Sequence, residues 1–111
     1  MKIRVDRDSV CMGDDVLPHE TEFEIPEDMT VKEFFDFLEL ERYLPSVQGN
    51  NVAWELRNRN GEHGVYFTKT REIIHPDALL KEMVEGFDGT PLFVLLYHST
   101  PEAYYNRKEN K

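Results

Sequence analysis

Thr90-Pro91-Leu92-Phe93-Val94-Leu95-Leu96-Tyr97 decides how this chain folds. Every position from Leu92 to Tyr97 is apolar, and the run is too short for a helix. It follows a turn punctuated by Gly86 and Gly89. Such a run predicts a strand buried on both faces, which needs a neighbour on each side. No further apolar segment follows it. The last strand is therefore expected to insert between earlier ones.

Working outward, Ile3 and Val5 alternate with Lys2, Arg4 and Asp6, the pattern of a half-buried strand. Thr21, Phe23 and Ile25 alternate with Glu20, Glu22 and Glu24 in a second. A three-residue loop at Gly13-Asp14-Asp15 sets Val5 opposite Phe23 and Ile3 opposite Ile25, apolar pairs on one face. A longer loop over residues 8–19 is the other possibility. Thr30 then caps a helix, and Glu33 completes a capping box, with Met29 and Phe34 placed as a hydrophobic staple. Val31, Phe34, Phe35 and Leu38 form its inward stripe, Phe37 and Leu40 widen it, and Pro45 lies past its end. Asn60-Gly61 predicts a hairpin joining Val52–Asn58 to Gly64–Lys69. Read as a two-residue turn, it pairs Leu56 with Val65 and Trp54 with Phe67, and brings Arg59 beside Glu62. The shared parity of these groups makes Trp54 a core residue. Pro76 opens a second short helix carrying Leu79, Leu80, Met83 and Val84, which Gly86 stops. Residues 1–100 make one domain, and residues 101–111 read as a flexible polar tail.

The expected fold is α+β, in the order β-β-α-β-β-α-β, with a mixed sheet of four to five strands and the main helix on one face. In this order the chain resembles the ubiquitin-like β-grasp family. Met1-Lys2-Ile3-Arg4-Val5 looks like the family's opening strand. Thr21 to Val31 looks like its second strand running into the capped helix, and Pro91 to Tyr97 like its closing strand. Conjugating and sulfur-carrying relatives end in a diglycine, whereas this chain ends Arg107-Lys108-Glu109-Asn110-Lys111. Ferredoxins of this architecture hold their cluster with four cysteines, and this chain has one. The resemblance leaves non-covalent binding through the open sheet face. It also implies that Leu92, Val94 and Leu96 meet the helix. Phe93, Leu95 and Tyr97 then form the open face, flanked by Arg4, Glu55 and Arg57 and joined by Tyr66. An apolar patch with a charged rim suits a protein partner or a second copy of the chain. The alternative is that the second helix, the first loop or the tail folds over this face and buries it.

Composition narrows the function further. The chain has 111 residues and a net charge of −9, which disfavours nucleic acid and anionic membranes. No apolar run has membrane-spanning length, and the lone Cys11 fits a reducing, cytoplasmic setting. Residues 19–45 hold nine acids against Lys32 and Arg42, whereas residues 57–71 hold four bases against Glu62. The acidic stretch offers an alternative role, an inhibitor or immunity-type protein that blocks a basic site. His19, His63, His75 and His98 are scattered, Asp14, Asp15 and His19 read as turn residues, and Cys11 has no identifiable base or oxyanion site. No phosphate loop, serine elbow or zinc signature appears. The expectation is a non-enzymatic binding domain without cofactor, metal or small-molecule substrate.

Overall fold

The computed structural model describes residues 1–8, 20–44 and 51–109, with side chains described as far as Arg107. In chain order these form β1 (Lys2–Arg7), β2 (Thr21–Glu24), α1 (Val31–Leu40), β3 (Ala53–Asn58), β4 (Gly61–Phe67) and β5 (Glu72–Ile74). A 3-10 turn (Leu80–Val84), β6 (Leu92–His98) and α2 (Pro101–Glu109) follow. The architecture is α+β: a six-stranded mixed sheet in the order β2-β1-β6-β3-β4-β5, with two α-helices. The fully apolar strand does insert, parallel to β1 and antiparallel to β3.

α1 starts where its caps predict. Thr30 accepts from the Glu33 backbone N–H, and Glu33 accepts from the Thr30 backbone N–H. The next two free helix N–H groups, on Val31 and Lys32, donate to the carbonyls of Ala78 and Pro76. Val31, Phe34, Phe35 and Leu38 are buried against the sheet, with Phe34 on Phe93 and Phe35 on Tyr66. Phe37 packs at the margin on Phe23, but Leu40 is 84% exposed and does not widen the stripe. Helix and sheet meet closely at Gly64. A Cβ there would lie 2.9 Å from the Ile74 carbonyl and 3.0 Å from Val31, so only glycine fits.

Several registers differ from expectation. β1 and β2 pair Ile3 with Phe23 and Val5 with Thr21, a slip of two residues that keeps every side chain on its expected face. The Gly13–Asp15 loop, with Cys11, Asp14, Asp15 and His19, lies outside the described residues, as does Pro45. In the β3–β4 hairpin, Arg59 and Asn60 form the turn, Gly61 takes a φ of 116°, and the register shifts between Leu56 and Arg57. Trp54 therefore pairs with Tyr66 and Leu56 with Gly64. This change turns Val65 and Phe67 to the second face and brings Tyr66 beneath the helix. Arg57, not Arg59, stands opposite Glu62.

Two elements were not expected. β5 adds an edge strand beside β4, and only the Leu80–Val84 portion of the second predicted helix forms, as a 3-10 turn with Leu80 and Met83 buried. Residues 101–109 are a helix rather than a flexible tail. Tyr104 anchors it at 1% exposure, with Ala53, Val65 and Phe67. A nine-residue helix is marginal alone, so its order depends on this anchor. Tyr104→Ala is expected to raise amide exchange across 101–107 by about tenfold or more while β1 and β6 keep their protection. Unchanged exchange in 101–107 would remove Tyr104 from that role.

Candidate functional site

The parity of β6 decides where a site can lie. Val5 pairs with Phe93 and Leu56 with Leu95, so both side chains point into the helix-covered core at 0% exposure. Tyr97 lies half-buried on the same side, edge-on to Trp54 at 5.4 Å. Tyr66 is there too. Its hydroxyl donates to Glu39, and burial with that carboxylate pushes its pKa up to about 12. The expected open-face set of Phe93, Leu95, Tyr97 and Tyr66 therefore lies on the opposite face, in the core.

Leu92, Val94 and Leu96 occupy the second face instead, and none of the three is fully buried. They floor a groove of about 420 Å³, within the usual size range of binding clefts. Arg4 from β1 bounds one side, Arg57 and Arg59 the other, and Phe87 and Pro91 close an end. Arg4 reaches the Thr90 carbonyl through Nε at 3.4 Å and Nη2 at 3.3 Å, and approaches Glu20 at 3.7 Å. Arg4 and Arg57 thus flank an apolar strip as expected, but the strip is made by the other parity of the same strand. Arg59, Phe87 and the Leu92/Val94/Leu96 set were not anticipated as site residues. Their signal was present: a strand apolar on both parities must offer one set to each face.

Farther along this face the groove gives way to a buried polar cluster beneath α2. Glu55 is 3% exposed and His98 5%. The Arg57 Nη1 donates to Glu55 Oε2 at 2.6 Å, and His98 Nε2 lies 2.9 Å from Glu55 Oε1. Burial opposes ionisation of Glu55, but Arg57 and His98 together outweigh it and hold the carboxyl below its ordinary value. Tyr104 roofs the cluster, edge-on to His98 at 5.4 Å, and donates to Glu62 at 2.6 Å. Burial, then Glu62, drives its phenol pKa up. α2 thus covers one half of the second face and leaves the groove open.

The acidic stretch is partly committed to the fold. Glu33 caps α1, Asp36 pairs with Lys32, Glu39 binds Tyr66 and Arg71, and Glu24 meets the N-terminal ammonium. Among the described residues, no group of three or more His, Cys, Asp or Glu side chains is arranged to hold a metal, and no helix is long and apolar enough to cross a membrane. Compared with protein-family models, curated proteins and solved structures, the chain has no match.

Proposed function

We propose that this chain is a non-catalytic interaction module of β-grasp type that docks a partner protein through the groove on its second sheet face. The strand order supports the β-grasp reading. A parallel β1–β6 pair sits centrally, β2 and β3 flank it, and one capped helix crosses the first face. β5 and α2 are additions to that plan. The docking reading is carried by one observation: a central strand leaves Leu92, Val94 and Leu96 incompletely covered between arginine rims. Apolar centre and charged rim is the anatomy of a protein-binding surface.

A different protein suits this groove better than a second copy. A two-fold interface sets each patch against itself. Arg4, Arg57 and Arg59 of both copies would then crowd into one seam, on chains that each carry −9. Inhibition of a basic site through the acidic stretch draws less support, because many of those carboxylates already serve the fold.

Val94→Glu places a charge on the groove floor at a half-buried position, so the fold should survive. Pull-down from native host lysate, read by quantitative mass spectrometry, is expected to lose the partner with this variant. A matching thermal melt controls for folding. Full recovery of the partner by a folded Val94→Glu protein would reject the groove as the docking site. A wild-type dimer by light scattering that Val94→Glu dissociates would replace the partner with a second copy.

A further inference from the structure

We infer that Arg59, held over Phe87, is a carboxylate receptor, and that the docked segment of the partner joins aliphatic side chains to an acidic one. This rests on the docking reading above and specifies the chemistry of its partner.

Three observations converge on Arg59. Its guanidinium sits 3.9 Å from the Phe87 ring centroid, a cation–π contact that occupies the face of the group and leaves its N–H edges available. Among the described residues it has no hydrogen bond or ion pair. Arg4 and Arg57, by contrast, are engaged by Thr90 and Glu55. The turn beneath it is tethered on both sides. Asn58 Nδ2 donates to the Met83 carbonyl at 3.0 Å, Asn60 Nδ2 reaches the same oxygen at 3.4 Å, and the Asn60 N–H donates to Asn58 Oδ1 at 2.8 Å. The segment that carries Phe87 is thereby fastened to the turn that carries Arg59. A guanidinium with unused donors, stacked and pre-positioned beside an aliphatic floor, matches a carboxylate that arrives with apolar neighbours. Among the described residues Asp88 is the one acid lining the groove, and it opposes such a ligand.

The test uses two capped pentapeptides, Leu-Glu-Leu-Glu-Leu and Leu-Gln-Leu-Gln-Leu, titrated into the full-length ¹⁵N-labelled chain at low salt. Both should shift groove amides around 59, 87 and 92–96, and the glutamate peptide should bind about tenfold more tightly. Arg59→Gln, at an exposed turn position, should erase that preference, so that the two peptides bind the variant alike. Asp88→Asn should strengthen the glutamate peptide several-fold, as removal of a like charge requires. Equal binding of the two peptides in the groove, or a preference that survives Arg59→Gln, would overturn the carboxylate assignment and leave docking intact. Peptides that shift no groove residue would count against the docking reading as well.

Discussion

Trp54→Ala is expected to lower the stability of this domain by about 3–5 kcal/mol, the usual cost of truncating a large buried aromatic. Trp54 is 1% exposed and belongs to the cluster that joins α1 to the sheet. It pairs with Tyr66 on one side and with Tyr97 on the other. Its removal leaves a cavity in the core between helix and sheet, which cannot close without shifting strands held in register by their ladders. Small domains have about 5–15 kcal/mol in total, so the variant should be largely unfolded under mild denaturant. A urea titration gives the answer directly. A midpoint close to wild type would show that Trp54 does not hold the core. Trp54→Phe retains most of the apolar volume and should fall well short of the alanine loss.

The second large effect is at Glu55. Glu55→Ala removes the acceptor shared by Arg57 and His98 and is expected to cost about 3 kcal/mol. The lower end of the buried-pair range applies because Arg57, at 28% exposure, can turn toward water. Glu55→Gln isolates the charge and carries a pH signature. Arg57 and His98 depress the folded carboxyl against the opposing effect of burial, so the folded state binds this proton more weakly than the unfolded chain does. The stabilisation is complete above the ordinary carboxyl value of 4.5 and is lost as pH falls through the lower folded value. Urea midpoints of wild type and Glu55→Gln should therefore be well separated at pH 7. They should converge only below about pH 4.5. A separation that stayed constant through that acid range would mean the Glu55 charge contributes nothing.

Much of the fold is legible where local chemistry is strong. The Thr30–Glu33 capping box and the Val31/Phe34/Phe35/Leu38 stripe announce α1 because caps and helical period are local signals. The continuous run Leu92 to Tyr97 announces a central strand because a strand paired on both edges can offer apolar groups to both faces of a sheet. The same run hides which parity meets the helix, since Phe93 and Val94 are equally suited to a core. The Asn60-Gly61 signal places a hairpin but not its register, and one bulge inverts Val65, Tyr66 and Phe67. α2 escaped notice because its composition is polar. The adjacent Tyr104 and Tyr105 are its only large apolar groups, and the sequence does not name the Phe67 and His98 surface they meet.

The candidate site divides in the same way. Arg4 and Arg57 were legible as rim residues because strand alternation assigns them to the face away from Ile3, Val5, Trp54 and Leu56. The strip between them is Leu92, Val94 and Leu96, whereas Phe93 and Leu95 enter the core. Arg59 and Phe87 lie 28 positions apart and meet beside the point where Asn58 and Asn60 bind the Met83 carbonyl. Sequence alone determined the capped helix, the inserted last strand and the acidic balance, each of which follows from propensity, period or composition within a short window. Tertiary structure alone decided which face of β6 is open, how β4 registers on β3, and how Glu55, His98 and Tyr104 come together. Those outcomes depend on long-range pairing and close packing between segments tens of residues apart, where one residue of register exchanges the inside for the outside.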